Sequence, residues 1–381
     1  MTRFFSNLPI TNARIAIVRL TDPTALLSAI PALRAIRSAA PTAHIALVGL
    51  PAGEDMARRF PAYIDEFISV QDVVNGPGHY LTVFDLALQL QAPSEELNRI
   101  TLKLGARYVA GFCAGVPNGA TTPTTLRVEW PEQGPEVLRL LLLIRALGIR
   151  DQGEAMEFPI SATDRAELES CREALALLGG PFVCIQPGAR SPEHRWQAAR
   201  YARVADALAV HGLRVAITGP AADRNVADAV IARMRTRPIN LTGRLTIGAF
   251  ANLLDFAYLL ISNDTGVTRL AEAIGTPAVT IATGSDVPLW RPADRARYRV
   301  LWLPGTERPS AERLYSTWPD NGSGISVESV LDACDVLLAE TALKQRAAVR
   351  AHLARLRREA RLTRPLLPQP LTEAPMVRRA S

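Results

Sequence analysis

Short unbroken apolar runs alternate with amphipathic stretches along most of this 381-residue chain. The run Arg14-Ile-Ala-Ile-Val-Arg-Leu20 comes first, then a polar loop, a helical stretch to about Ala40, and the run His44-Ile-Ala-Leu-Val-Gly-Leu50. The same order returns in the second half. Pro181-Phe-Val-Cys-Ile-Gln186 leads into the loop Pro187-Gly-Ala-Arg190, a helix from about Ala198 to His211, and Leu213-Arg-Val-Ala-Ile-Thr218. Strands that are apolar throughout, rather than alternating, belong to parallel sheets covered on both faces. Each half therefore reads as a right-handed βαβ unit. Between the halves, Leu138 to Leu147 predicts a helix and Gly148 to Pro159 a polar linker. The expected fold class is α/β, with two Rossmann-like domains of parallel sheet facing each other across a cleft. Expected boundaries are 1–150 for the first domain, 151–180 for the linker and the next helix, 181–340 for the second domain, and 341–381 for a tail. Open α/β sheets bind ligands beyond the carboxyl ends of their strands. The loops Thr21 to Thr24 and Pro187 to Arg195 lie at such ends.

One segment carries more chemistry than the rest. An apolar strand (Leu259 to Ile261) meets a polar loop (Ser262 to Gly266), a helix (Val267 to Ile274), and the stop Gly275-Thr-Pro277. A helix beginning this abruptly aims unpaired N–H groups and its positive dipole end at one point, which suits a diphosphate. An ordinary βα turn with Asp264 as its N-cap would read the same way.

Composition narrows the class. A hydrophobic content of 48% is enough for substantial cores. Cys113, Cys171, Cys184 and Cys334 form no CxxC pair, so structural zinc and a disulfide framework lose support and a reducing, cytoplasmic setting is expected. No signal-peptide pattern opens the chain, and the longest apolar stretch, Leu138 to Ile149, is interrupted by Arg139 and Arg145. The net charge of +6 is misleading as a whole-chain figure. Residues 341–381 carry +8, and the first 340 residues carry −2. Lys344 to Arg364 reads as a basic amphipathic helix, with Pro365, Pro368, Pro370 and Pro375 after it. Such a helix suits either the anionic inner face of a membrane or packing on its own protein. Nucleic acid is disfavoured because no aromatic residues interleave the arginines.

The usual catalytic signatures are missing. Neither first strand is followed by G-x-G-x-x-G. There is no P-loop, H-E-x-x-H or G-x-S-x-G, and the five histidines do not cluster. No cofactor or metal is implied. Other motifs are present. They are Gln186-Pro-Gly-Ala189 with Arg195-Trp196, Ala216-Ile-Thr-Gly219 with Asp223, and Leu241-Thr-Gly-Arg-Leu-Thr246. The longest is Asn263-Asp-Thr-Gly266 with Leu270-Ala271, Ala273 and Gly275-Thr-Pro277. Arg19-Leu20 and Pro31-Ala-Leu-Arg34 complete the set. On these residues, across roughly 14 to 335, the chain resembles glycosyltransferase family 9, the ADP-heptose:lipopolysaccharide heptosyltransferases.

The resemblance implies a GT-B architecture and inverting transfer from a nucleotide-diphospho-sugar, ADP-heptose in characterised members, to a lipopolysaccharide or other glycan acceptor. It implies donor binding by Gly188, His194, Arg195, Asp223, Asp264, Thr265, Gly266 and Arg269. Thr265 and Gly266 would supply N–H groups to the diphosphate, His194 or Arg195 a positive charge, and Asp223 an acceptor for ribose hydroxyls. Asp264 would hold sugar hydroxyls or cap the helix. Trp196 reads as core or as a wall of the cleft. Acceptor choice would fall to loops near Gly76 to Tyr80 and Gly111 to Thr125.

Three departures stand out. Ungapped alignment from Arg19-Leu20 to Pro31 puts Ala25 where the family has its proton-accepting aspartate, and alanine cannot accept a proton. Asp22, three residues earlier, is the catalytic candidate, with Glu54 and Asp55 as further carboxylates. Asp22-Pro23 equally reads as an N-cap with proline at the first helical position. In addition, Arg269 replaces the family's histidine, keeping positive charge but losing acid–base capacity, and His194, beside Arg195, stands where the family usually has lysine or arginine two places before its tryptophan. The alternatives are a weak or inactive relative that binds a nucleotide sugar or glycan as a scaffold, and a different GT-B enzyme such as a nucleotide-sugar epimerase.

Overall fold

The computed structural model describes residues 12–76, 84–115, 124–283, 292, 294–302 and 324–339. Two six-stranded sheets are present among these residues, both wholly parallel. The first holds β1 (Arg14–Val18), β2 (His44–Gly49), β3 (Glu66–Ser69), β4 (Leu86–Gln89), β5 (Tyr108–Cys113) and β6 (Thr125–Glu129), in the order β3-β2-β1-β4-β5-β6. The second holds β7 (Phe182–Gln186), β8 (Arg214–Ile217), β9 (Ile239–Asn240), β10 (Leu259–Asn263), β11 (Ala278–Ile281) and β12 (Tyr298–Leu301), in the order β12-β11-β10-β7-β8-β9. Renumbered from its own first strand, the second order is the first one again. Each is a doubly wound sheet whose direction of winding reverses beside its first strand, between β1 and β4 and between β7 and β10. That reversal opens the crevice where such sheets bind ligands.

The apolar strands account for this. Ile15 and Ile17 face one side of the first sheet and Ala16 and Val18 the other, all at most 1% exposed. The first side packs against the helices Ile30–Ala39 and Glu136–Ala146. The helical stretch after β1 is not one helix. A 3₁₀ segment, Pro23–Ala29, precedes the α-helix Ile30–Ala39. Pro31 has no N–H to give Leu27, so the regular i→i−4 ladder can begin only around it.

One apolar cluster runs from the first sheet through Met156 and Phe158 of the linker to Leu168, Phe182, Leu260, Val267 and Leu270. The lobes therefore touch through hydrophobic side chains along one side of the crevice. Polar fasteners reinforce this. Tyr63 donates to Glu157 at 2.6 Å, and Arg34 reaches Glu157 (3.3 Å) and the Ala155 carbonyl (2.8 Å). Arg59 grips both oxygens of Asp164 at 2.8 and 3.0 Å while its guanidinium lies 5.0 Å from the Phe158 ring centre. Burial alone would raise the Asp164 pKa. Hydrogen bonds from Arg59 and Ser161, with the Arg59 charge, outweigh it and pull the carboxyl down to about 2. No helix among the described residues is long and apolar enough to cross a membrane. The expected basic helix and proline-rich tail lie outside the described residues, as do 77–80 and 116–123 of the expected acceptor loops.

Candidate functional site

The crevice of the second sheet is framed by the loops that leave β7 and β10, and Asn263 ties the two together. It ends β10, is fully buried, and uses three hydrogen bonds. Its Oδ1 accepts from the Trp196 N–H (3.0 Å), and its Nδ2 donates to the carbonyls of Pro187 (2.7 Å) and Gly188 (3.1 Å). The short amide can satisfy both signs of backbone group at once, which an aspartate cannot. The next residue, Asp264, is held by its own N–H to the Ile281 carbonyl at the end of β11 (3.2 Å).

The helix starts one residue earlier than the hydropathy predicts, at Gly266, and runs to Ile274 before Gly275 closes it in the left-handed conformation (φ 88°). Thr265, not Asp264, is the N-cap residue, and it caps nothing with its side chain. The Thr265 hydroxyl is buried with no hydrogen-bond partner among the described residues. Its carbonyl instead receives the N–H (3.1 Å) and hydroxyl (2.9 Å) of Thr268. Asp264, Thr265 and Gly266 all stay half-buried, so the turn is not sealed. Gly266 is required by the neighbouring lobe. A Cβ there would stand 1.8 Å from the Thr24 hydroxyl oxygen.

Asp223, at the end of the 3₁₀ turn Ala221–Asp223, lies on two glycines. A Cβ on Gly188 would fall 1.9 Å from its Oδ2, and one on Gly219 (φ 148°) would fall 3.3 Å from its Cβ. Burial pushes the Asp223 carboxyl up, against the opposing pull of Arg195. Arg195 folds onto its own loop, donating from Nε (3.2 Å) and Nη2 (3.1 Å) to the Ala189 carbonyl. The His194 ring sits 3.4 Å from the Ser191 hydroxyl. Trp196 is core: 2% exposed, edge-on to Tyr201, with its indole N–H on the Ile325 carbonyl (3.1 Å).

The first lobe contributes the opposite wall. Asp22 is exposed and caps the 3₁₀ segment, its Oδ1 accepting from the Thr24 N–H (3.0 Å) and hydroxyl (2.6 Å). Ala25 is buried behind it. Of the further carboxylates, Glu54 is held by Arg58 at 2.6 Å. Arg19 is buried and bonded to the Leu90 carbonyl, to the Ala25 carbonyl (2.6 Å), and to Glu136 Oε1 (3.0 Å).

Glu136 is the residue that sequence reasoning missed. It opens the helix Glu136–Ala146, where an acidic residue is expected for the dipole alone, and it is 117 positions from Arg19. Its second oxygen lies 3.7 Å from the Arg269 guanidinium of the other lobe and has no hydrogen-bond partner among the described residues. Burial would raise its pKa, but the charges of Arg19 and Arg269, with hydrogen bonds from Arg19 and Ser28, hold it below the ordinary carboxylate range. Arg269 thus faces the first lobe. The structure gathers Thr265, Gly266 and Arg269 with Thr24, Ala25 and Glu136 across the crevice. It gathers Gly188, Arg195 and Asp223 on the β7–β8 side. No group of three or more His, Cys, Asp or Glu among the described residues could hold a metal.

Comparison with known proteins bears on the family and the fold. The model of glycosyltransferase family 9 (heptosyltransferase) matches residues 85–317. Lipopolysaccharide heptosyltransferase 3 of Escherichia coli (strain K12) is 32% identical over 222 residues, 56% of this chain and 62% of that protein. The match thus spans less than two thirds of that relative. Among solved structures, the glycosyl transferase family 9 protein from Veillonella parvula DSM 2008 superposes with a TM-score of 0.71 at 22% identity, covering 87% of this chain and 98% of that one. E. coli ADP-heptose lps heptosyltransferase II gives 0.64 at 18% identity, covering 86% and 99%.

Proposed function

The chain belongs to glycosyltransferase family 9, and from that premise we propose that it moves a heptose-like sugar from a nucleotide-diphospho-sugar to a glycan acceptor by an inverting route. The names of its relatives favour ADP-heptose as donor and a lipopolysaccharide core as acceptor. In this reaction an acceptor hydroxyl oxygen bonds to the anomeric carbon while the bond from that carbon to the diphosphate oxygen breaks. The electron pair leaves on the nucleoside diphosphate, and the hydroxyl proton passes to a base.

The observation that carries the reading is the start of the helix Gly266–Ile274. It opens in the crevice of the second sheet, half-exposed, beside a buried Thr265 hydroxyl that lacks a partner among the described residues. The first N–H groups and that hydroxyl would receive the diphosphate, where fixed donors matter most because negative charge grows there as the bond breaks. Arg269, His194 and Arg195 would add positive charge. Asp223, desolvated on the bare Gly188 Cα, would recover hydrogen bonds from ribose hydroxyls. Asp264 would hold sugar hydroxyls, since a carboxylate repels phosphate. Asp22 would serve as base.

The engagement of Asp22 by Thr24, together with Ala25, favours a second reading: a relative that binds the donor but turns it over weakly. Transfer from ADP-heptose separates the two. Asparagine caps helices as well as aspartate, so Asp22→Asn leaves the 3₁₀ segment intact and removes only the base. A kcat lowered by ~10² to 10⁴ supports Asp22 as base. ADP binding without turnover, with turnover gained by Ala25→Asp, supports the second reading. Absence of binding by ADP-heptose and by ADP refutes both.

A further inference from the structure

We propose that Glu136 is a positioning residue for the donor site. It holds the Arg269 guanidinium against the first lobe while the crevice is empty and yields it to an arriving diphosphate, and so sets the affinity for nucleoside diphosphates. This rests on the reading of the helix start as a diphosphate site.

The geometry divides the Arg19–Glu136–Arg269 chain into a fixed half and a releasable half. Arg19 is fixed. Its side chain is 1% exposed, it bonds two backbone carbonyls, and it contacts Glu136 at hydrogen-bond distance (3.0 Å). Arg269 is loose. It is 25% exposed and stands 3.7 Å from Glu136 Oε2, close enough for charge attraction and too far for a hydrogen bond. Glu136 Oε2 correspondingly has no hydrogen bond among the described residues. When Arg269 leaves, Glu136 keeps Arg19 as its counter-charge, so no buried carboxylate is stranded. Among the described residues two other charged groups lie near the pair: Arg139, on the helix of Glu136, adds to the positive side, and Glu272, one turn on from Arg269, is a carboxyl that burial pushes up to about 7 against the pull of Arg269.

Arg269 is also within reach of the diphosphate. It lies three residues into the helix from Gly266, a rise of about 4.5 Å, and an extended arginine side chain spans more than that. A diphosphate offers more than one negative charge and paired oxygens for a bidentate grip. Glu136 offers one charge at long distance. The exchange therefore favours the ligand, and the Glu136 attraction subtracts from its affinity.

The test is calorimetric titration of the full chain with ADP and with inorganic pyrophosphate. Glu136→Asp is the main variant, because it keeps a charge for Arg19 while drawing it back from Arg269. Glu136→Gln is the second variant, and Arg269→Gln and Glu136→Asp/Arg269→Gln complete a cycle. Arg269→Gln should weaken both ligands roughly tenfold. Glu136→Asp should tighten both by roughly three- to tenfold with Arg269 present and change neither without it. A purely structural role for Glu136 would shift binding equally in both backgrounds. That result, or no shift in either while ADP still binds, overturns the proposal. Loss of all ADP and pyrophosphate binding in the unsubstituted protein overturns instead the diphosphate reading beneath it, and the proposal with it.

Discussion

Replacing Asn263 by aspartate changes one amino group to an oxygen and should be among the most damaging conservative substitutions in the second lobe. The Trp196 N–H would still find an acceptor. The carbonyls of Pro187 and Gly188, now 2.7 and 3.1 Å from a donor, would face an oxygen instead. If that oxygen is ionised, two hydrogen bonds are lost, two buried carbonyls are left unpaired, and a charge is desolvated. Together these are worth about 4 kcal/mol. If the carboxyl is protonated, its O–H restores one bond, and the cost falls to about 1.5 kcal/mol. The difference raises the folded-state pKa of the introduced carboxyl by roughly 1.5–2 units, to about 6, against about 4 in the unfolded chain. The folded state then holds the proton more tightly. The variant keeps most of its stability below pH ~4, loses it as pH rises through ~6, and loses no more above that. Urea unfolding of variant and parent at pH 5 and pH 8, with the parent subtracted at each pH, should show a deficit larger by about 1–1.5 kcal/mol at pH 8. Tryptophan fluorescence is a suitable probe because Trp196 is buried and bonded to this side chain. Equal deficits at the two pH values, or a deficit under ~1 kcal/mol at pH 8, would refute the account of Asn263 as the tie between the two loops.

The acid side of the stability curve should report Asp164. Its folded pKa of about 2 means that its ion-paired stabilisation, about 2 kcal/mol, is complete above pH ~4 and disappears as pH falls through ~2. The deficit of Asp164→Asn should shrink across that interval in acid unfolding. Gly188→Ala should drive Asp223 from its seat, a Cβ there standing 1.9 Å from Oδ2. ADP binding should weaken at least tenfold, while inorganic pyrophosphate, which lacks the ribose, should bind nearly unchanged in calorimetry. Gly266→Ala sets a Cβ 1.8 Å from the Thr24 hydroxyl and should lower the melting temperature. Thr24→Ala in the same chain removes two of the three clashing atoms and should recover part of the loss.

The hydropathy of Arg14 to Leu20, His44 to Leu50 and Pro181 to Thr218 carried the fold class, because a strand buried on both faces leaves no choice about its composition. Strand order did not emerge from that pattern. Nothing local in β4 or β10 says that each pairs with the first strand of its sheet, yet this pairing opens the crevices. The helix after β10 was legible to within one residue, and its cap was not. Thr265 and Asp264 are both plausible caps by composition, and only the fold of the loop decides. Pro31 was legible as an unusual residue inside a helical stretch, but not the break into a 3₁₀ segment before it. Glu136 was invisible for a plainer reason. Its partners come from the residue that follows β1 in its own lobe and from the first turn of a helix in the other lobe, and neither is close in sequence.

Ala25 and Arg269, where the resemblance leads one to expect an aspartate and a histidine, look unrelated along the chain and converge in space. The Arg19 guanidinium nitrogen that holds the Ala25 carbonyl also holds Glu136, whose other oxygen faces Arg269. An aspartate at 25 would bring a second negative charge into the same pocket, where Arg269 could pair with it. Glu136 and the new carboxylate would then share two arginines. With alanine at 25, Glu136 carries the negative charge of this spot, and the arginine has it as its partner across the crevice. Both positions act on the field at Glu136, so their effects should not add. Arg269→His alone would leave Glu136 with less positive charge beside it and raise its pKa. Ala25→Asp alone would crowd two carboxylates. Together they would leave two carboxylates beside Arg19 with less positive charge to hold them, and ADP-heptose turnover by the double variant should fall below the product of the two single effects. Strict additivity would mean that the two positions do not share a field, and the convergence at Glu136 would then have no functional weight.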